Sequence, residues 1–181
     1  MSKKKIGTVW LGGCSGCHMS LLDIDERLLE VVKLADIVKS PVVDGKDFPP
    51  VDIALVEGAI SSEEHLAEIK HIRENAKILV AFGDCAVTSN VPSLRNQIGT
   101  DVCLRRAYVE AESNVPGKLP PGDGLGVSPL LPKVMPLHQV VKVDYYLPGC
   151  PPDADLIFEV LSALLTDKVP DLPNERKAAY G

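Results

Sequence analysis

The sequence predicts an α/β protein built on a doubly wound parallel sheet. Short aliphatic runs alternate with stretches whose apolar residues recur at helical spacing, the pattern of strands each followed by a covering helix. The run VDIALVE at 51–57 is apolar almost throughout, as a strand buried on both faces of a parallel sheet must be.

Residues 5–11 (KIGTVWL) read as the first strand. Across 19–34, Leu22, Leu28, Leu29 and Val32 fall on a helical repeat. A second strand is expected over 36–43 (DIVKSPVV) and a third over 51–57. Ser61 and Ser62, followed by Glu63 and Glu64, signal a helix start, and that helix should run to Asn75. Residues 77–82 (KILVAF) and 139–146 (QVVKVDYY) complete the strands, and Asp153 opens a helix through Leu165 with a Pro-rich tail after it. Residues 112–138 contain six prolines and four glycines and are expected to form a long loop, a feature usually functional in a domain of this size. No repeat or second domain interrupts the pattern, so 1–181 reads as a single domain.

Composition narrows the function. The 181 residues suffice for one domain with a substantial core, and with aromatics at 4% that core must be aliphatic. A net charge of −6 argues against a nucleic-acid partner, which would be bound through basic surface. The one basic run, Lys3–Lys5, leads straight into the first strand. No stretch reaches the roughly 18 apolar residues of a membrane helix. The N-terminus has neither the apolar segment of a secretory signal nor a twin arginine, so a cytoplasmic protein without a transmembrane segment is expected.

In a reducing compartment, cysteines bind metals or catalyse more often than they form disulfides. Cys14 and Cys17 follow the first strand in GGCSGC, Cys85 follows the 77–82 strand in FGDCA, and Cys150 follows the last strand in LPGCPP. Ligands of open α/β sheets bind beyond the carboxyl ends of the strands. Three strand ends can therefore bring four thiols to one place, and four thiolates are the usual ligands of a [4Fe–4S] cluster. The flanking glycines allow close backbone approach. Pro151 and Pro152 fix the chain beyond Cys150 and suit a helix start. Helix N-termini after Cys17 and Cys150 would aim N–H groups at an anionic cluster.

Two other readings of the thiols stay open. Structural zinc usually takes two close cysteine pairs, whereas here there are one pair and two singles. A thioredoxin-type CxxC would leave Cys85 and Cys150 unused. Cys103, in the apolar context DVCL, reads as an inert core cysteine. Glu57 ends its strand on the same edge as the thiols, where a carboxylate is costly to bury unless paired. It is either an exposed strand-end acid or a group beside the cluster that carries protons or tunes the iron. His18 is either a donor to a cluster sulfur or an ordinary surface or core histidine.

Taken in order, WLGGCSGCHMSLLD (10–23), DFPPVDIALVEGAI (47–60), AFGDCA (81–86) and LPGCPP (147–152) resemble the small subunit of [NiFe] hydrogenases. The resemblance implies a flavodoxin-like domain that holds one proximal [4Fe–4S] cluster at the C-terminal edge of its strands. Cys14, Cys17, Cys85 and Cys150 would bind it against a nickel–iron large subunit, with Glu57 as a nearby acid linked to proton movement. No cysteine follows Cys150, which resembles the one-cluster small subunit of cytoplasmic NAD-reducing (bidirectional) hydrogenases. That implies electron relay between the large subunit and iron–sulfur/flavin diaphorase subunits in the reaction H2 + NAD+ = NADH + H+. The nickel–iron and NAD sites would lie in partner chains, and the 112–138 segment is expected to pack on one of them.

The related complex I subunit has adjacent cysteines in its first motif, whereas Ser15 and Gly16 separate Cys14 from Cys17 here. A complex I-like or ferredoxin-linked subunit with another acceptor remains the alternative. No GxGxxG follows the first strand, so no NAD site is expected, and GDGLG at 122–126 lies outside any strand–helix junction. A flavodoxin-like fold admits a flavin, but no motif in the chain asks for one.

Overall fold

Aliphatic and β-branched segments separated by helices form, in chain order, β1 (Lys4–Trp10), α1 (Gly16–Leu22), α2 (Leu28–Leu34), β2 (Ala35–Lys39), β3 (Val51–Glu57), β4 (Ile60–Ser62), α3 (Glu63–Asn75), β5 (Ala76–Phe82), α4 (Asp84–Thr88), α5 (Thr100–Tyr108), β6 (Leu130–Met135), β7 (Tyr145–Leu147) and α6 (Ala154–Leu165). The computed structural model describes residues 3–45, 47–120 and 127–170. Five strands pair in parallel in the order β2-β1-β3-β5-β7. This is the flavodoxin-like doubly wound order, whose switch point falls between β1 and β3.

Alternation along the central strands builds two cores. Ile53 and Leu55 of β3 and Val80 and Phe82 of β5 face one side, where α6 supplies Ile157, Val160 and Leu161 and α2 supplies Val31. Ala54, Val56, Leu79 and Ala81 face the other side, against Ile69 and Ile72 of α3. β3 is therefore apolar along its length because both of its faces are covered. Ser62 caps α3 through its hydroxyl, which accepts from His65 N, and the Asp153 carboxylate caps α6 by accepting from Asp155 N and Leu156 N.

Several local expectations change. The helix expected over 19–34 is broken by a 3-10 turn at Asp25–Arg27, where Asp25 takes a φ of 52° and Ile24 is driven fully into the core. β2 stops at Lys39, two residues before Pro41. Ser62 caps α3 as read, yet Ile60–Ser62 also pairs as β4 with β6 in an antiparallel ribbon. β6 lies inside 112–138, so that stretch is not simply a loop, and a 3-10 turn at Leu137–Gln139 follows it. Its pairing has no local signal because the partner strand lies some seventy residues away and prolines flank both ends. The motif at 122–126 and the tail from 171 onward lie outside the described residues. α4 and α5, both short, have no counterpart in the expectation.

The strand expected over 139–146 shrinks to Tyr145–Leu147 because a side chain takes over part of the ladder. Asp144 N donates to Leu79 O at 2.9 Å, while Leu79 N donates to Asp144 Oδ2 at 2.9 Å. The same oxygen accepts from Arg73 Nη1 of α3 at 2.6 Å. Burial pushes the Asp144 carboxyl up, but the Leu79 N–H, and then Arg73 and Lys142, hold it below its ordinary value. Asp144→Ala is expected to cost about 1–3 kcal/mol in urea unfolding, because it leaves Leu79 N without its acceptor and takes the carboxylate away from Arg73. Lys77→Ala, which breaks an exposed ion pair with Asp52, should shift the urea midpoint far less than Asp144→Ala does.

Candidate metal centre

The edge at which β1 and β3 end is closed by backbone hydrogen bonds. Trp10 and Glu57 are register partners, and beyond them Leu11 N donates to Glu57 O at 2.7 Å. Gly12 and Ala59 then exchange bonds of 2.9 and 2.8 Å as an isolated bridge. Gly58 permits this contact: its φ is +90°, and a Cβ there would stand 2.8 Å from Leu11 C. The chain is thereby turned so that Cys14 and Cys17 pass over the end of β3.

Cys17 lies in the first turn of α1 and is buried. Its N–H donates to Glu57 Oε1 at 3.4 Å, and His18 N donates to Glu57 Oε2 at 3.0 Å. The His18 ring hydrogen-bonds the same oxygen through Nδ1 at 2.5 Å. Glu57, 1% exposed, is thus neither a strand-end surface acid nor an unpaired charge. It occupies the N–H groups at the start of α1 that were expected to face a cluster. The other expected helix start is also unavailable: α6 begins at Ala154, and Asp153 takes its first N–H groups. His18 packs edge-on between Trp10 and Phe82 and leaves Nε2 without a partner among the described residues. It is not among the residues that line the space between the four thiols.

A second tie joins the ends of β5 and β7. Gly83 N donates to Leu147 O at 2.8 Å, Asp84 N donates to Gly149 O at 2.9 Å, and Gly149 N donates to Asp84 Oδ1 at 2.7 Å. Asp84 is buried, and its neighbour Cys85 follows it in the first turn of α4. Gly83 holds a φ of +84°, and a Cβ there would fall 2.1 Å from Cys17 Sγ, so glycine makes room for that thiol.

Cys14, Cys17, Cys85 and Cys150 line one cleft, with Glu57 and Asp84 in its wall. Cys14 and Cys150 are exposed at the mouth, Cys85 is half-buried and Cys17 is buried. The cleft encloses about 70 Å³, more than the share of one water in the liquid. Among the described residues, no group of three or more His, Cys, Asp or Glu is placed to hold a single metal ion. The four thiols instead stand around a space, which fits a polynuclear iron–sulfur cluster. Burial, and then the charge of Glu57 and of the other cysteines, pushes the Cys17 thiol far up. Burial, and then Cys150, Cys14, Glu57 and Asp84, pushes Cys85 up to about 11.

Cys103 does not line the cleft, and it is half-buried on α5 rather than a core residue. Sequence reasoning missed Asp84 and Asn90. Asp84 directly precedes Cys85, but nothing local says that its carboxylate reaches Gly149. Asn90 Nδ2 lies 3.5 Å from Cys150 Sγ across 60 residues of sequence.

The family of the NADH ubiquinone oxidoreductase 20 Kd subunit matches residues 14–164. The chain is 43% identical over 180 residues to the delta chain of the NAD-reducing hydrogenase HoxS of Cupriavidus necator, covering 95% of this chain and 83% of that one. It is 41% identical to one of the chains of the F420-non-reducing hydrogenase of Methanothermobacter marburgensis, covering 95% of this chain but only 56% of that relative. Among solved structures, a chain of an NAD+-reducing [NiFe]-hydrogenase in the H2-reduced state superposes with a TM-score of 0.92 at 38% identity, covering 97% of this chain and 98% of that chain.

Gly83→Ala should destabilise the protein by more than about 1 kcal/mol through its positive φ and the clash with Cys17. It should also speed alkylation of Cys17 in the metal-free protein, which mass spectrometry would read. Metal-free protein should lose stability with pH over a defined window. Cys85 ionises near 9.0 when unfolded and near 11 when folded. Between those values the folded state holds the extra proton, so stability is intact below 9 and falls as pH rises toward 11. Urea titrations across that window should show a smaller fall in Cys85→Ala.

Proposed function

The chain belongs to the family of the NADH ubiquinone oxidoreductase 20 Kd subunit, and from that premise we propose that it is the electron-transfer small subunit of a NAD-reducing [NiFe] hydrogenase. The observation that carries the reading is the meeting of Cys14, Cys17, Cys85 and Cys150, from three strand ends, around one cleft. These residues would hold one [4Fe–4S] cluster, which when bound supplies a one-electron relay.

The chain's own groups prepare that site. Asp84 keeps the ends of β5 and β7 together, which sets Cys85 and Cys150 relative to each other. Glu57 sets the start of α1 and with it the position of Cys17, and its Oε2 is hydrogen-bonded to His18 Nδ1. A buried acid so held beside the thiols is suited to take up or release a proton as the charge of the cleft changes. Zinc is disfavoured because the thiols do not converge on one ion. A nucleophilic CxxC is disfavoured because Cys17 is buried and its thiol is pushed away from ionisation, the reverse of what such a motif requires.

The partners would be a nickel–iron large subunit and iron–sulfur/flavin diaphorase subunits, working in the cytoplasm, with hydrogen and NAD handled in those chains. No helix of the described residues is long and apolar enough to cross a membrane. A second reading keeps the site and changes the acceptor. It is favoured by the 41% identity to a chain of an F420-non-reducing hydrogenase, close to the 43% of the NAD-reducing relative.

Anaerobically prepared protein should contain about four iron and four acid-labile sulfide per chain. One zinc without sulfide would sink the proposal. Cys85→Ala should lose or convert the cluster, while Cys103→Ala should leave the iron content unchanged. Hydrogen-dependent NAD reduction by the purified complex separates the two acceptor readings, and a complex without nickel would end the hydrogenase assignment. Glu57→Gln should keep the cluster but slow hydrogen-dependent turnover. Unchanged turnover together with an unchanged midpoint potential would remove Glu57 from the mechanism.

A further inference from the structure

The turn after α4 makes a further connection to the thiols. Ser89 and Asn90 take φ values of 68° and 24° in succession. Such conformations are strained for a non-glycine residue and persist where the surroundings enforce them. The enforcing bonds are local. Ser89 N donates to Cys85 O at 3.1 Å, and Asn90 N donates to Thr88 Oγ1 at 3.4 Å. The carbonyl of Asn90 accepts from Ser93 Oγ at 2.7 Å and Ser93 N at 3.2 Å. With its backbone held on both sides, Asn90 directs its amide at Cys150 Sγ, 3.5 Å away.

We propose that Asn90 is a positioning residue that donates an N–H···S hydrogen bond to the Cys150 sulfur and so raises the reduction potential of the cluster; this rests on the function proposed above. A ligating thiolate can only accept, so the amide nitrogen is the end that faces it. Reduction adds negative charge to the cluster and its sulfurs. A donor aimed at one of them therefore stabilises the reduced state more than the oxidised one. A residue that served only the turn would be better as glycine, which takes positive φ without strain. Asparagine keeps a donor at that point, and it links the helix of Cys85 to the neighbouring strand end that bears Cys150.

The test uses the full chain reconstituted anaerobically with ferrous iron and sulfide, and compares Asn90→Gly and Asn90→Asp with the unmodified chain by EPR-monitored redox titration. Both variants should retain iron and sulfide. Asn90→Gly should lower the reduced-to-oxidised ratio at a fixed potential by about tenfold, or ~59 mV for a one-electron couple. Asn90→Asp, which sets a charge against the sulfur, should lower it further. Glycine relieves the strained turn, so a purely structural role predicts an unchanged potential, and a cluster-loaded Asn90→Gly chain with the original potential would overturn the proposal. An unmodified chain that takes up no iron–sulfur cluster would instead overturn the reading of the cleft itself.

Discussion

The structure of the site depends on one buried carboxylate. Glu57 is fully withdrawn from water, and a carboxyl group so placed must be hydrogen-bonded or it destabilises the fold by several kcal/mol. Its compensation comes from Cys17 N, His18 N and the His18 ring, all at the start of α1. Burying Glu57 and positioning Cys17 are therefore the same event. The chain cannot move the Cys14–Cys17 loop off the sheet edge without exposing or orphaning that acid. Placement at the β1/β3 switch point follows from topology, because crossover connections diverge there and leave the strand ends uncovered.

Asp84 performs the corresponding task one strand further along. Its carboxylate and backbone both reach Gly149, joining β5 to β7 beyond the last ladder bonds. Between the two carboxylate ties lies Gly83, whose missing side chain leaves the space that the Cys17 thiol fills. The cleft is thus held by groups on strand ends rather than by mobile loops, the arrangement that keeps a binding constellation preorganised. The same burial that shapes it keeps Cys17 and Cys85 protonated when no metal is present. Metal uptake must then release protons and should be easier at higher pH.

Much of the fold was legible in the sequence because its signals are local. The apolar runs of β3 and β5 and the caps at Ser62 and Asp153 each declare an element within a few residues. The elements that escaped were set by distant partners. β4 and β6 are short and find each other across the chain, and Asp144 replaces backbone pairing with a side chain that needs Arg73 and Leu79 nearby. At Asp25 the helix breaks with Ile24 fully buried, while Leu22, Leu29 and Val32 of the expected repeat stay exposed.

The site divides in the same way. By itself the sequence led to the expectation that Cys14, Cys17, Cys85 and Cys150 meet at one strand edge, because ligands of open α/β sheets bind there, and the structure brings the four to one cleft. The sequence also set Cys103 apart. It left Glu57 undecided and said nothing of Asp84 or Asn90. Those were decided by tertiary structure, through bonds between residues 40, 65 and 60 positions apart. A carboxylate or an amide carries no local mark of the partner it will meet, since only the folded sheet brings that partner within 3.5 Å.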